Sequence, residues 1–376
     1  MGNTKIGIDA HEIEKRPTGV GRVLLSILKE WDKFDLNEIE FILYFKEEIP
    51  NLDLSEKFER KLLNSRSNAF FMHYHLSKTA KKDKVDLLFC PGYVAPLFYK
   101  GNIALELHDI IYQARPELYN WPSIWDKFLL KTISRISARK ANIILTCSQF
   151  SKKEIIKHYQ VNPEKVKAIY LATDEKFKPK KEGEEEFKRK YGIKNKYILY
   201  LGSIFNRRHL PETISAFKKI AQEKSNYQFL IIGKNHTSPF IDIEKMVKET
   251  NQELKREGII RNEYIDEKDL VSAYSLADLF VYLSDYEGFG LPVLESISCG
   301  TPTITSRKAS IPEVANQSVI YVENNEDEQE IYQTIKEGLE NQELKENLTK
   351  KGLEQSKKFS WQKTAKETLD ALLFLK

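Results

Sequence analysis

Cysteine is scarce in this chain of 376 residues, and the three that are present lie far apart with no C-x-x-C pair. This pattern supports neither a disulfide framework nor a zinc cluster. Long apolar runs are also missing: no stretch reaches eighteen apolar residues, and the first residues contain no signal-like segment, so neither a membrane span nor a secretory leader is expected. Together these absences predict a cytoplasmic protein.

A strong charge of either sign is lacking as well. The chain has 59 Lys and Arg against 55 Asp and Glu, a net charge of +4, which is too small an excess to indicate a nucleic-acid partner. Hydrophobic residues make up 41% of the chain, enough for sizeable cores and enough to exclude bulk disorder. At about 150 residues per domain, the length favours two domains.

What is present is an alternation of short apolar runs, rich in β-branched and aromatic residues, with longer stretches of helical spacing. The alternation predicts an α/β protein with mainly parallel sheets. A polar segment that begins at Phe177 indicates a domain boundary. We therefore predict two Rossmann-like doubly wound domains, residues 1–176 and 177–358, facing each other across a cleft, then a helix over 359–376 that packs back toward the first domain. The predicted strands are Lys5–Ala10, Ile39–Phe45, Asp86–Cys90, Ile103–Leu107, Asn142–Cys147, Val166–Leu171, Tyr197–Leu201, Tyr227–Ile232, Leu279–Leu283 and Ser318–Val322.

The segment from Asp285 to Glu295 carries the densest chemistry in the sequence. It follows a predicted strand and opens a short helix, with Pro292 suited to the first turn and Gly300 just beyond the end. Amides at the start of the helix and in the glycine loop before it can hold an anion, because they carry partial positive charge and glycine lets a phosphate approach the backbone. The pattern predicts a diphosphate site.

Two carboxylates flank this predicted anion site, Glu287 before the loop and Glu295 one turn into the helix. On spacing alone, exposed surface charge explains such a pair. Beside a bound anion, however, carboxylates are unfavourable unless they accept hydrogen bonds from hydroxyls. A ligand with phosphate between two polyols, a nucleotide sugar, satisfies both conditions.

With these residues in place, the chain resembles a retaining glycosyltransferase of the large family 4 (GT4), which has the two-domain GT-B fold. The resemblance extends from Ile6 to about Trp361. The segments that carry it are Glu287-Gly-Phe-Gly-Leu-Pro-x-x-Glu295, Ser298-Cys-Gly-Thr-Pro302, Ile311-Pro-Glu-Val314, Thr18-Gly-Val-Gly-Arg22 and Gly202-Ser-Ile-x-x-Arg-Arg-x-Leu210.

The resemblance implies a metal-independent transferase that retains anomeric configuration. The implied donor is a nucleotide-diphosphate sugar, GDP-mannose-like or a UDP-sugar, bound as a substrate with no separate cofactor. The implied acceptor is a glycan or lipid-linked sugar in cell-envelope polysaccharide synthesis. A nucleotide-sugar epimerase and a noncatalytic nucleotide-sugar scaffold are the alternatives. The epimerase needs a proton-transfer set at the sugar that does not stand out here, and only product formation separates the scaffold from the transferase.

The family's roles fall on identifiable positions of this chain. By resemblance, Glu287 binds hydroxyls of the transferred sugar and acts at the catalytic centre, and Glu295 binds the ribose hydroxyls. The amides that would face sugar and phosphate are those of Gly288, Phe289, Gly290 and Leu291.

Two arginines, Arg207 and Arg208, come soon after the predicted strand Tyr197–Leu201, at its carboxyl end. Because breaking a sugar–diphosphate bond adds charge to the leaving group, Arg207 and Arg208 are candidates to stabilise it in place of a metal. A solvated surface loop is the alternative. Relatives often carry Arg-Lys-Asn here, so Arg208 takes the lysine place and His209 the asparagine place. Ser203 stands where many relatives have a further arginine after Gly202.

Other candidates lie at the ends of predicted strands. In the first domain, Gly19 and Gly21 would let the backbone approach the donor phosphate, with a simple turn as the alternative. By resemblance, His108 orients the donor sugar and stabilises positive charge near the anomeric carbon; a structural histidine is the alternative. Residues placed near the nucleotide complete the predicted donor site: Gly233, Lys234 and Ile265.

A basic stripe suggests a second partner. The predicted helix around 126–140 carries Lys127, Lys131, Arg135 and Arg139 at i,i+4 spacing, which would suit an anionic lipid surface near a lipid-linked acceptor. On that interpretation the protein associates peripherally with the inner face of the membrane. An ordinary solvated helix face is the alternative.

Overall fold

The structure, a computed structural model, describes residues 3–15, 19–119, 121 and 123–375. Internal contacts divide the chain into two compact units. The first consists of Met1–Leu171 together with Ser360–Lys376, and the second is Ala172–Phe359. Each unit is built on a parallel sheet, which confirms the α/β prediction of two Rossmann-like domains.

The sheet of the first unit has the strand order β3-β2-β1-β4-β5-β6-β7, and neighbouring strands pair in parallel. The chain moves outward from β1 in one direction and then in the other, which makes the sheet doubly wound. The central strands are buried on both faces, as expected where helices cover a parallel sheet. The strands are β1 (Thr4–Asp9), β2 (Ile39–Phe45), β3 (Phe58–Leu62), β4 (Leu87–Pro91), β5 (Asn102–Glu106), β6 (Ile143–Thr146) and β7 (Val166–Ala168).

Helices of the first unit pack their apolar faces on this sheet. The first helix buries Val23, Leu24, Ile27 and Leu28 on one side, at the 3.6-residue spacing of an amphipathic helix. The helices in this part of the chain are α1 (Gly19–Lys33), α2 (Asn68–Phe70), α3 (Ser77–Lys82), α4 (Ile111–Ala114), α5 (Ile124–Lys140) and α6 (Gln149–Tyr159), with a π-helical turn at Phe71–Leu76.

The second unit repeats the design with the strand order β10-β9-β8-β11-β12-β13. Its strands are β8 (Lys196–Leu201), β9 (Tyr227–Ile232), β10 (Ile259–Asn262), β11 (Leu279–Tyr282), β12 (Thr303–Ser306) and β13 (Ile320–Val322). Its helices are α7 (Glu184–Tyr191), α8 (Leu210–Glu223), α9 (Ile243–Leu254), α10 (Leu270–Ser275), α11 (Leu291–Ser298), α12 (Ile311–Ala315), α13 (Glu328–Glu340) and α14 (Gln342–Ser356).

The structure adds three strands that the sequence pattern did not single out. β3 and β10 are edge strands with charged or polar residues, and β12 is a run of Thr, Ile and Ser between β11 and β13. None of the three has a long apolar run, so sheet pairing decides their conformation against weak local preference. The predicted strand over 166–171 is also shorter, since β7 ends at Ala168.

The last helix, α15 (Trp361–Leu373), belongs to the first unit. Its backbone carbonyl at Ala365 accepts a hydrogen bond from Trp31 Nε1 at 2.8 Å, and Thr364 Oγ1 donates to the Tyr170 carbonyl at 2.7 Å. Leu369 and Leu372 on the inner face of α15 are buried. None of the described helices combines the length and apolarity that a bilayer crossing requires.

Candidate functional site

The carboxyl ends of β8 and β9 approach each other closely in the second unit. Gly202 and Gly233 follow these strands, each with φ of +147°. A Cβ added at Gly233 would lie 1.9 Å from the Gly202 carbonyl oxygen, so only glycine permits this approach. The carboxyl edge of a doubly wound sheet is where such proteins bind ligands.

The glycine loop after β11 leads directly into α11. Gly290 has φ of +102°, and Pro292 occupies the first turn of α11, which confirms the predicted helix start. Ser310 holds the glycine loop in place, because its Oγ donates to the carbonyls of Glu287 at 2.8 Å and of Phe289 at 2.9 Å. The backbone amides of Gly290 and Leu291 donate to no acceptor among the described residues. These N–H groups at a helix start can therefore bind an anion.

Glu287 uses its two carboxylate oxygens differently. Oε1 accepts hydrogen bonds from Arg208 Nε at 3.0 Å, the Tyr282 hydroxyl at 2.9 Å and Ser284 Oγ at 3.0 Å. No described residue donates to Oε2. Burial raises the pKa of this carboxyl, but Arg208 and Arg207 outweigh burial and hold it below its ordinary value. The group is therefore ionised at neutral pH, with one oxygen able to accept a ligand hydroxyl.

The two predicted arginines have different surroundings. Arg208 is buried, pairs with Glu287 and donates from Nη1 to the Ser203 carbonyl at 2.6 Å. Arg207 lies with its guanidinium 4.2 Å above the Phe205 ring, and its buried Nε has no hydrogen-bond partner among the described residues. No described carboxylate forms an ion pair with Arg207. This guanidinium is therefore the cation of the turn that remains for a ligand anion.

Glu295 lies one turn into α11, as the sequence indicated. The buried hydroxyl of Tyr274 donates to its Oε2 at 2.8 Å. Burial raises the pKa of Tyr274 well above its ordinary value, so the phenol stays a donor. Tyr274, Ser284 and Ser310 were not found from the sequence, because tyrosine and serine in these positions have no distinctive spacing.

The remaining predicted residues of the second unit lie at the same edge of its sheet. The Ser203 carbonyl accepts from both Arg208 and the Tyr200 hydroxyl. Lys234 follows Gly233 at the end of β9 and is exposed, and Ile265 is buried just after β10. Strand topology thus brings all of these residues to one edge, although they are far apart in sequence.

Two predictions concern the first unit. Gly19 and Gly21 lie in the first turn of α1 and not in a loop before it, and a Cβ at Gly19 would meet nothing within 4 Å. Thr18, which opens the segment quoted above, lies outside the described residues. His108 follows β5, with Nε2 3.3 Å from Glu106 Oε1. Burial lowers the pKa of His108, but Glu106 and other nearby carboxylates raise it above the ordinary value.

The described part of the chain contains no cluster of side chains suited to bind a metal ion. No three His, Cys, Asp or Glu side chains there are arranged to hold an ion.

Family models match both units of the chain. A family model described as Glycosyltransferase Family 4 matches residues 17–177, and one described as Glycosyl transferases group 1 matches residues 183–355. O-antigen chain mannosyltransferase B of Escherichia coli is 28% identical over 384 residues, covering 95% of this chain and 96% of that protein. O-antigen chain mannosyltransferase RfbU of Salmonella typhimurium is 30% identical over 236 residues, covering 62% of this chain and 60% of that protein.

Solved structures give the fold. The crystal structure of Anabaena HepE in complex with UDP and glucose matches with a TM-score of 0.72 at 15% identity, over 99% of both chains. WaaG, a glycosyltransferase involved in lipopolysaccharide biosynthesis, matches with a TM-score of 0.72 at 14% identity, over 98% of this chain and 99% of that chain. The two family models, the full-length sequence relative and the paired parallel sheets agree, and the chain belongs to the GT4 glycosyltransferases of the GT-B fold.

Proposed function

We propose that this glycosyltransferase moves a hexose from a nucleotide-diphosphate sugar to a glycan or lipid-linked acceptor in cell-envelope polysaccharide synthesis. Mannose is the first sugar to test. Support for the sugar and the process comes from the relatives, which are O-antigen chain mannosyltransferases in Escherichia coli and Salmonella typhimurium. The base is guanine or uracil; HepE was crystallised with UDP and glucose.

The observation that carries this proposal is the arrangement around Glu287. Its Oε2 is an ionised acceptor with no donor among the described residues, the unassigned amides of Gly290 and Leu291 lie at the start of the adjoining helix, and Arg207 has no carboxylate partner there. Hydroxyls of a hexose would bind the carboxylate, and a diphosphate would bind the amides and the guanidinium. Glu295 would accept from the ribose hydroxyls.

The proposed reaction retains the anomeric configuration and uses no metal. The bond between the anomeric carbon and the phosphate oxygen breaks, and the acceptor oxygen bonds to that carbon on the same face of the sugar. The acceptor proton passes to the departing phosphate oxygen. Arg207, Arg208 and the loop amides would stabilise the charge that develops on the leaving diphosphate. His108 in the first unit remains assigned to the donor sugar by family resemblance.

The first experiment is a thermal-shift panel of UDP, GDP, ADP and their sugars, followed by transfer assays on the best binder. We expect a GDP- or UDP-sugar to raise Tm and to yield a glycosylated acceptor, with an α-linked product from an α-linked donor by NMR. Activity should persist in EDTA. An inverted product would contradict retention, loss of activity in EDTA would contradict metal independence, and binding without product would favour the scaffold.

We also propose peripheral membrane association through α5. Lys127, Lys131, Arg135 and Arg139 line a groove of about 630 Å³ together with Phe128 and Ile136. Trp125 and Phe128 are 76% and 62% exposed next to this basic groove. Exposed aromatic rings beside cations suit an anionic lipid surface.

Liposome sedimentation tests the membrane proposal. We expect more binding to vesicles containing anionic lipid than to neutral vesicles, and a loss of that difference at high salt. Equal partition into both vesicle types would leave α5 an ordinary solvated face.

A further inference from the structure

Three consecutive residues of the turn after β8 bind the loop after β11. The Arg207 carbonyl accepts from the Asp285 amide at 3.0 Å, Arg208 pairs with Glu287, and His209 Nε2 lies 2.7 Å from Asp285 Oδ2. The turn that holds the arginines and the loop that holds Glu287 are thus joined at three successive points. Only the pairing of Arg208 with Glu287 involves two residues already assigned to the donor.

Asp285 is the centre of the remaining contacts. Its Oδ2 faces His209, and its Oδ1 accepts from Lys308 Nζ at 2.7 Å and from Asn325 Nδ2 at 3.0 Å. Asn325 is fully buried, and its Oδ1 accepts from Ser306 Oγ at 2.8 Å. The carboxylate therefore links the arginine turn to the ends of β12 and β13.

His209 has the geometry of a fixed donor. It is 6% exposed, has φ of +46°, and directly precedes α8. Its Nδ1 lies 3.6 Å from Glu212 Oε1, so carboxylates face both ring nitrogens. Burial lowers the pKa of this imidazole, but the hydrogen bond to Asp285 and the nearby carboxylate of Glu212 raise it to about 9.

The charges around Asp285 balance one another close to the proposed diphosphate site. A carboxylate two residues before Glu287 would repel a diphosphate if it were bare, but Asp285 is matched by His209 and Lys308. The cation of the turn without a carboxylate partner in the described chain is Arg207, immediately beside this cluster.

We propose that His209 and Asp285 are positioning residues, which fix the arginine turn against the glycine loop so that Arg207 and the loop amides converge on the donor diphosphate. This inference rests on the proposed function. The contact needs the reach of the imidazole, because an asparagine side chain at position 209 is shorter and would not span the same distance to Asp285.

The test compares His209→Gln, His209→Asn and Asp285→Asn by calorimetric titration of the full-length protein with inorganic pyrophosphate. A Gln amide can occupy the place of Nε2 and donate to Asp285, whereas an Asn amide falls short. We expect His209→Asn and Asp285→Asn to weaken pyrophosphate binding about 10-fold, the scale of a hydrogen bond to a charged group. His209→Gln should stay within about 3-fold of the wild type.

Two alternatives predict opposite orders. If position 209 serves only the backbone, Asn is the better residue at positive φ and should match or exceed Gln. If only net charge matters, Asp285→Asn removes a negative charge and should strengthen pyrophosphate binding. Either order would overturn the positioning role.

A matched control is Gln228→Leu, which removes a buried polar side chain at the opposite, amino end of β9. Gln228 is 1% exposed, accepts from the Lys194 amide at 2.7 Å and donates to the Glu257 carbonyl at 2.9 Å. We expect this variant to lower Tm with unchanged pyrophosphate affinity. If pyrophosphate binding is weakened equally in all variants, His209 and Asp285 affect binding only through the general stability of the fold.

Failure of the inference and failure of the function are separable. A wild-type protein that binds neither pyrophosphate nor any nucleoside diphosphate would remove the donor site and the positioning role together. A wild type that binds while His209→Asn and Asp285→Asn bind equally well would remove the positioning role alone. In transfer assays, the two variants should raise the donor KM and leave the acceptor KM unchanged.

Discussion

At the residue scale, the two oxygens of the Glu287 carboxylate have different roles: Oε1 accepts hydrogen bonds from the protein, and Oε2 is left for a ligand. Oε1 is saturated by protein donors, and this fixes the direction of Oε2. Arg208 contributes to this twice, through Glu287 and through the Ser203 carbonyl. It shapes the site as well as carrying charge.

Replacement of Arg208 by alanine should therefore lower kcat by about 10² to 10³, the scale for losing one preorganised donor at a developing charge. Steady-state transfer kinetics measure the effect. Arg208→Lys, which keeps the charge but not the fork, should fall between the two. Unchanged turnover in the alanine variant would exclude Arg208 from the mechanism.

His209 gives a second residue-scale prediction, in stability. Its folded pKa of about 9 lies above the ordinary 6.5, so its pairing with Asp285 and Glu212 contributes fully below pH 6.5 and is lost as the pH rises toward 9. The Tm difference between the wild type and His209→Gln should be largest near pH 6 and shrink by pH 9.5.

The Tm of the variant must be subtracted from that of the wild type at each pH, because His11 and His108 of the first unit also have raised pKa values. Both of these histidines lose stabilisation as the pH rises, in the wild type and in the variant alike. A Tm difference that is constant from pH 6 to pH 9.5 would contradict the charged state assigned to His209.

The sequence could single out Glu287, Glu295 and the arginine pair as candidates because each belongs to a short contiguous pattern at a strand end. It could not predict that His209 meets Asp285, since the two are 76 residues apart and no periodicity links them. That contact depends on β8 and β11 being neighbours in the sheet, which strand alternation alone does not determine.

At the element scale, the approach of β8 and β9 depends on Gly233. Gly233→Ala would force backbone atoms apart, because the new methyl group would lie 1.9 Å from the Gly202 oxygen. We expect a loss of several kcal/mol in the free energy of unfolding and weaker nucleoside diphosphate binding. Urea denaturation and titration of the same preparation measure both.

Gly192→Ala is the matched control, since Gly192 has φ of +72° but open space around an added Cβ. Its cost should be only the backbone strain of about 1 kcal/mol. Equal losses in the two variants would mean that φ and not the close approach decides.

Element boundaries show where sequence patterns suffice. The start of α11 was predictable because Gly290, Pro292 and the preceding apolar strand all indicate the same place. The start of α1 was not, because glycines at 19 and 21 favour a loop by local preference, whereas packing of the helix on the sheet extends it over them.

At the scale of the whole molecule, α15 completes a unit that the chain left nearly two hundred residues earlier. Trp31→Phe removes the donor to the Ala365 carbonyl and should cost the first unit about 1–3 kcal/mol. Urea denaturation followed by tryptophan fluorescence should show an earlier transition, with pyrophosphate affinity of the second unit unchanged.

Trp361→Phe makes the same chemical change at the start of α15, where the indole donates no hydrogen bond within the described chain. It should leave the transition nearly in place. Superimposable curves for the two variants would mean that the bond from Trp31 contributes nothing.

The long reach of the Trp31 contact has a consequence for biosynthesis. A ribosome delivers residues from the amino end, so residue 365 emerges 334 positions after its partner, when the strands of the second unit have already been made. The first unit is thus completed only after all of the second unit has been translated. Until α15 has emerged, the nascent first unit leaves the Trp31 indole donor and the surface that packs against Leu369 and Leu372 uncovered, a state that favours protection by a chaperone.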